Sequence, residues 1–280
     1  MHFQENLQEE AITTGEASTS YISLPQEKRF LVLNHFMRLN YNKKVIIYVS
    51  SPSIVQFCEE FMQVEGFPVL TIHEKQGKSS RKKTIQQFLE SPSNILVCTD
   101  KVAKHLKNVN ANVMVQYDPP FDISEYIGRL KRMTSCQGCE CILFTIEEEM
   151  EFIRYLKSQH VNVELLDVSW TKLGNTQVKL EKYVKEKHGI YLGARQGYAG
   201  YLKAYRDHPN KEIFPLSNIN VTKVANSFGF RVAPFVDLNS SSLPVEEENS
   251  KKRRRSEDAQ SKNIKTRTIY KPVKKFKSKS

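Results

Sequence analysis

Short, nearly continuous apolar runs alternate with amphipathic stretches along this chain, a pattern that predicts an α/β protein with a doubly wound, mostly parallel sheet. VIIYV at 45–49 and NILVC at 94–98 have the character of strands buried on both faces. Between them Ile54, Phe57, Cys58 and Phe61 recur at the i, i+3, i+4, i+7 spacing of one helix face. After Trp170 the texture becomes helical, so a helical extension is expected to follow the sheet domain.

Residues 1–21 are polar and aperiodic and are expected to be a disordered lead-in. Phe30, Leu33 and Met37 then mark a helix face, and the strand at 45–49 follows. Ser51, Pro52 and Ser53 have the composition of an N-cap and first turn. A strand is expected at 68–72, then a helix with Ile85, Phe88 and Leu89 on one face. Strands at 94–98, 113–116 and 141–146 come next, and a helix from about Glu147 carrying Met150, Ile153 and Leu156 completes a domain over 22–168.

The extension is expected over 169–239. Val178, Lys179, Tyr183 and Val184 mark one helix, Tyr198, Leu202 and Tyr205 another, and a short helix is expected near 221–227. Beyond residue 240 there are too few apolar side chains to offset the entropy of ordering, so 240–280 is expected to be a disordered basic tail.

Charge is concentrated in that tail. The chain has 280 residues and a formal net charge of +11, and residues 251–280 hold 13 Lys and Arg against Glu257 and Asp258. The remainder balances, with 29 basic and 29 acidic residues. The high isoelectric point therefore describes the tail and does not imply a basic folded surface. Lys251, Lys252, Arg253, Arg254 and Arg255 form a compact block of nuclear-import type, and the later KPVKKFKSK suits weakly specific polyanion binding.

The 5 cysteines are an odd number, and no apolar leader or membrane-length run is present, so a soluble protein of a reducing compartment with no membrane partner is expected. Cys136, Cys139 and Cys141 form a C-x-x-C-x-C cluster, but no fourth Cys or His stands at zinc-site spacing. The reading adopted is a loop running into a strand, with no metal.

In an open α/β sheet, ligands bind beyond the carboxyl ends of the strands. Ser50, Ser51, His73, Thr99 and Asp100 fall there.

The ordered segments VIIYVSS, TIHEKQGKSSRKKTIQQF, NILVCTD, VQYDPP and EYIGRLKR resemble the second RecA-like domain of DEAD-box RNA helicases. The run from LEKYVKEKHGIYLGARQGYAGY to FGFRVAPFVDLN is similar to the C-terminal extension of a nucleolar branch of that family, the Pitchoune/Has type. The resemblance implies a RecA-like sheet, ATP and magnesium as the intact family's cofactors, and RNA and pre-ribosomal proteins as partners.

It also exposes departures. The family's first domain carries G-x-x-x-x-G-K-[ST] and D-E-A-D, and neither occurs in these residues; Gly77-Lys78-Ser79 lacks the earlier glycine, whose place is taken by Ile72. In the T-D-x-A-A-R-G-L-D stretch, Lys104 stands for the arginine, His105 for the glycine and Lys107 for the nucleotide-contacting aspartate. An ammonium only donates hydrogen bonds, so that contact cannot form in the same way. In H-R-x-G-R-x-x-R the matching residues run from Gly128 to Ser135: Arg132 matches the first arginine finger and Ser135 replaces the second.

Loss of one such finger costs on the order of 10³-fold in rate. The chain alone is therefore expected to be inactive as an ATPase, with Arg132 a remnant and no cofactor of its own. Ser51, Arg81, Thr99, Lys104 and Arg129 fall at positions implied to meet RNA, with Lys78 replacing the glutamine of Q-x-x-R. Ser51 and Thr99 equally suit helix caps.

Three readings follow. The first is a non-catalytic RNA-binding or ribosome-biogenesis factor of the nucleus or nucleolus. The second is a helicase subunit or isoform needing a phosphate-loop domain in trans, and the third a protein adaptor in pre-ribosome assembly.

Overall fold

A computed structural model of the chain describes residues 18–106, 109–133, 138–168, 173 and 175–238. Its strands are β1 (Ser18–Ser23), β2 (Lys44–Tyr48), β3 (Leu70–Ile72), β4 (Asn94–Cys98), β5 (Val113–Gln116), β6 (Glu140–Thr145) and β7 (Glu164–Leu165). They pair in the order β3-β4-β2-β5-β6-β1-β7, every pair parallel. β2 and β5 are buried at every position. Covered on both faces, such strands have no polar side to display, which is why they were readable as apolar runs.

The helices are α1 (Arg29–Leu39), α2 (Pro52–Val64), α3 (Lys78–Glu90), α4 (Asp100–Ala103), α5 (Ile123–Lys131), α6 (Met150–Ser158), α7 (Thr176–Glu186), α8 (His188–Arg206) and α9 (Val221–Ser227). Because the strands are parallel, α2, α3, α4 and α5 all begin at the carboxyl edge of the sheet. That edge gathers four positively polarised helix N-termini.

β1 corrects the expected lead-in. Six residues from Ser18 pair with β6, from Ser18 opposite Glu140 to Ser23 opposite Thr145, and Tyr21 and Ile22 enter the core. With only two apolar side chains the segment has no readable period, and β6, a partner more than a hundred residues away, supplies its register. Residues 1–17 and 239–280 lie outside the described residues, as do Lys107, Ser135 and Cys136.

Leu89 is a second difference. Phe88 is fully buried and Ile85 partly so, but Leu89 is exposed, because α3 lays only a narrow stripe on the sheet. Cys139 and Cys141 are buried at the start of β6, with Cys139 Sγ 3.6 Å from the Met133 carbonyl. Among the described residues no group of three or more His, Cys, Asp or Glu side chains is placed to hold a metal, and no helix is long and apolar enough to cross a membrane.

The extension shares the core of the sheet domain. Phe57 of α2 stacks at 4.6 Å on Phe30 of α1 and at 5.4 Å on Phe228, just past α9. Close approach of α8 to α2 depends on small residues. A Cβ at Gly197 would stand 2.9 Å from Phe228 Cε1, and one at Gly200 would stand 2.5 Å from Ser51 Oγ.

Arg29 fixes the same junction. Buried at the start of α1, it donates to the Tyr117 carbonyl (2.7 and 3.0 Å), the Phe144 carbonyl (3.1 Å) and the Tyr201 hydroxyl of α8 (3.4 Å). One guanidinium thus satisfies carbonyls just past β5 and near the end of β6 while holding α8 over them.

Candidate nucleic-acid interface

The carboxyl edge of the sheet is built from the turns after β2, β3, β4 and β5. The turn after β3 is set by Gln76, whose Oε1 accepts from the His73 amide at 3.1 Å and whose Nε2 donates to the Thr71 carbonyl at 3.3 Å. His73 itself is buried, and burial pushes its imidazole below the usual range. This turn delivers the chain to Gly77 and into α3.

Five cations lie in that turn and the first two turns of α3, Lys75, Lys78, Arg81, Lys82 and Lys83, with no acid between Glu74 and Glu90. All but Arg81 are exposed, and Arg81 is half-buried, donating Nη1 to the Glu74 carbonyl at 3.2 Å. The N-cap of α3 is Gly77, so no side chain answers the first amides of the helix.

Two of the other N-termini at this edge are capped by side chains, while the four-residue α4 has none, because the hydroxyl of Thr99 at its N-cap is turned to Glu74. Ser51 caps α2, accepting from the Ile54 amide at 3.4 Å, and is covered by Gly200. Asp122 caps α5, accepting from the Glu125 amide at 2.7 Å, and Asp100 opens α4 beside Arg129. The α3 N-terminus therefore combines an uncapped dipole with exposed positive charge, the ordinary makings of a phosphate contact.

Of the residues singled out in sequence, Thr99, Arg81 and the turn carrying Glu74 come together. Thr99 is buried, and its hydroxyl donates to Glu74 Oε2 at 2.8 Å, while Lys101 Nζ stands 3.6 Å from Glu74 Oε1. Partial burial works against ionisation of Glu74, but its own backbone amide, the Thr99 hydroxyl and the Lys101 ammonium outweigh it and hold the carboxyl below its usual range. Lys104, at the C-cap of α4, is exposed.

Arg129 is placed elsewhere. It is 2% exposed, grips Asp100 with two hydrogen bonds (3.0 and 2.5 Å), donates to Gln116 Oε1 at 2.9 Å, and lies 5.0 Å from the Tyr48 ring centroid. Its donors bind the protein's own interior. Arg132, at the C-cap of α5, is half-buried; its Nη1 is enclosed yet has no hydrogen-bond partner among the described residues. Lys251, Lys252, Arg253, Arg254 and Arg255 lie outside the described residues.

A cavity of about 190 Å³ at this edge is lined by Glu74, Asp100, Asp118 and Glu125 against Lys101 and Arg129, and is roofed by Tyr201 and Tyr205 of α8. Asp118 Oδ2 accepts from the Ser50 amide at 2.6 Å, and burial raises its carboxyl above the usual range. Acidic side chains outnumber basic ones in this lining.

The sequence reading missed Glu74, Lys101 and the full cation cluster of α3. The signal for the cluster was present in GKSSRKK; the role of Glu74 had none, because its partners come from the next β-α turn.

The helicase conserved C-terminal domain family matches residues 27–137, and the C-terminal extension of ATP-dependent rRNA helicase SPB4-like proteins matches residues 189–236. The chain is 39% identical over 233 residues to the ATP-dependent RNA helicase DDX18 of Homo sapiens, covering 82% of this chain and 35% of the relative. It is 37% identical over 232 residues to the probable ATP-dependent RNA helicase pitchoune of Drosophila melanogaster, covering 82% and 34%. The chain thus spans about a third of the length of these two relatives.

Among solved structures, Mss116p DEAD-box helicase domain 2, bound to an RNA duplex, superposes with a TM-score of 0.60 at 20% identity, covering 76% of this chain and 85% of that one. At that identity the likeness establishes the RecA-like fold.

Proposed function

This chain carries the helicase conserved C-terminal domain and SPB4-like extension of the DEAD-box RNA helicases, and from that premise we propose that it binds the sugar-phosphate backbone of RNA without turning over ATP. One observation carries the reading. Five cations occupy the turn before the 13-residue α3 and its first two turns, and its N-terminus has no side-chain cap, at the edge where an α/β sheet meets its ligands. Phosphate neutralisation there gives affinity with little base discrimination.

Within this reading Arg81, Lys78 and Lys82 are the principal phosphate contacts, with Thr99 and Lys104 on the neighbouring turn. Ser51 and Arg129 act on the interface indirectly, by capping α2 and tying α4 to α5. The match to rRNA helicase extensions favours ribosomal RNA as the target and pre-ribosomal proteins as neighbours, and the block from Lys251 to Arg255 favours nuclear, and nucleolar, placement.

Absence of turnover is supported by three features. These residues hold no phosphate-loop motif, acidic side chains outnumber basic ones in the lining of the edge cavity, and Lys107 and Ser135 stand where the family has a nucleotide-contacting aspartate and an arginine finger.

Fluorescence anisotropy of a labelled single-stranded RNA against a chain ending at Leu238 tests the reading. Binding that Lys78→Glu with Lys82→Glu weakens by tenfold or more, and that ATP leaves unchanged, is the expected result. RNA affinity indifferent to these substitutions, or ATP turnover by the chain alone, refutes it.

A second reading rests on Arg132. Its enclosed Nη1, without a hydrogen-bond partner among the described residues, suits a finger awaiting a phosphoryl group, which makes this chain one half of a helicase completed in trans. Turnover that appears on adding a phosphate-loop domain and disappears with Arg132→Ala supports it; no turnover in the mixture removes it.

A further inference from the structure

Glu74 stands among the groups that the RNA reading needs. Its Oε2 accepts the Thr99 hydroxyl hydrogen at 2.8 Å, its Oε1 faces Lys101 Nζ at 3.6 Å, and its carbonyl accepts from Arg81 at 3.2 Å. The carboxylate is about a third exposed, so it reaches the surface that an incoming phosphate would approach.

A carboxylate and a phosphate ask for the same things of a protein: hydroxyl hydrogens and cations. We propose that Glu74 is an affinity-determining residue that holds, in the free protein, donors which an RNA phosphate would otherwise take. This inference rests on the proposed RNA-binding function and assigns its strength to one side chain.

Thr99 has a single hydroxyl hydrogen, and that hydrogen is committed to Glu74, so a phosphate gains it only by displacing the carboxylate. Lys101 is 77% exposed, and its charge is partly answered before any ligand arrives. Arg81 differs, because its contact is with the Glu74 main chain; the remaining guanidinium donors stay available and the contact survives any substitution at position 74. The consequence is a divided edge. The α3 cluster is open to phosphate, whereas the turn after β4 is closed by an internal anion that also repels ligand charge.

Two substitutions separate charge from hydrogen bonding. Glu74→Gln keeps an oxygen acceptor for Thr99 but removes the negative charge; Glu74→Ala releases Thr99 as well. The measurement is anisotropy of labelled single-stranded RNA against the full chain over a salt series, with thermal melts confirming that each variant folds as the parent does.

Glu74→Gln is expected to bind about threefold tighter, with a log affinity against log salt slope steeper by about 0.7, the increment for one more neutralised phosphate on a single strand. Glu74→Ala is expected to bind tighter still, and Thr99→Val in that background to remove the additional gain. Lys101→Ala added to Glu74→Gln is expected to restore the parent slope.

Unchanged affinity and slope in both Glu74 variants, while Lys78→Glu with Lys82→Glu weakens binding, overturns the inference and leaves the RNA reading standing. If the α3 variant is also without effect, both fall. A gain in affinity that Thr99→Val and Lys101→Ala leave untouched also overturns it, since the freed donors would not be the ones used.

Discussion

Gly200 of α8 lies so close to Ser51 that a Cβ at position 200 would stand 2.5 Å from the serine hydroxyl oxygen. The two residues come from the extension and the sheet domain, and their contact decides what Ser51 can do. Its oxygen caps α2 and its outer side is covered by a helix backbone, so an RNA phosphate reaches it only if α8 moves. On the proposed reading, phosphate contact falls instead to the exposed start of α3.

The glycine seam of α8 makes the junction sensitive to added volume. Gly197→Val places a branched side chain against Phe228, which is fully buried and has nowhere to swing. A loss of about 1–3 kcal/mol is expected from overpacking, seen as a lower urea midpoint. Gly189→Ala, with nothing within 4 Å of its Cβ position, is expected to leave the midpoint unchanged or raise it.

Gly128 stands where the family pattern has histidine, inside α5, with open space around its Cβ position and no positive φ. Gly128→Ala is expected to stabilise the fold by about 0.5–1 kcal/mol through helix propensity alone. Denaturant unfolding reads it directly, and a destabilised variant would show that the bare backbone at 128 serves a contact.

Arg129 holds a buried polar network, and its removal leaves Asp100 and Gln116 without their partner. Arg129→Ala is expected to cost about 3–5 kcal/mol, the range for breaking a buried ion pair on one side. Arg129→Lys is expected to recover little, since an ammonium cannot reproduce the two-pronged grip on Asp100. A fully stable Arg129→Ala protein with weakened RNA binding would instead place this residue in direct contact with the ligand.

Glu149 carries a pH signature. Fully buried near Arg29, its carboxyl is pushed up to about 7: burial dominates, while Arg29 and the Ile146 amide oppose it. The folded state keeps a proton that the unfolded chain releases near the ordinary glutamate pKa of about 4.3. Stability from this group is thus complete below that value and is lost as pH rises through about 7. Glu149→Gln is expected to flatten the stability-pH profile over that interval, as followed by urea unfolding at fixed ionic strength. An unaltered profile would show that other buried carboxyls, such as Asp118, set the slope.

Much of the sheet was legible because a buried parallel strand has no polar face to confuse the pattern; β2, β4 and β5 fall within a residue of the apolar runs that announced them. The α2 stripe was legible for a related reason, since Ile54, Phe57, Cys58 and Phe61 are all fully buried. β1 escaped because six residues with two apolar side chains carry no period of their own. Arg29 escaped because nothing adjacent in sequence marks a basic residue for burial; its partners are carbonyls near the ends of β5 and β6 and a tyrosine of α8.

The strands β2, β4 and β5, the helix α2, the resemblance to a helicase half with altered nucleotide motifs and the basic run GKSSRKK were all legible in the amino-acid sequence. Those properties are written in local composition and spacing. Packing settled which of the marked residues face outward. Thr99 meets Glu74 and Ser51 lies beneath Gly200, because these pairs are joined across parallel strands and packed helices, at separations along the chain that no local pattern encodes.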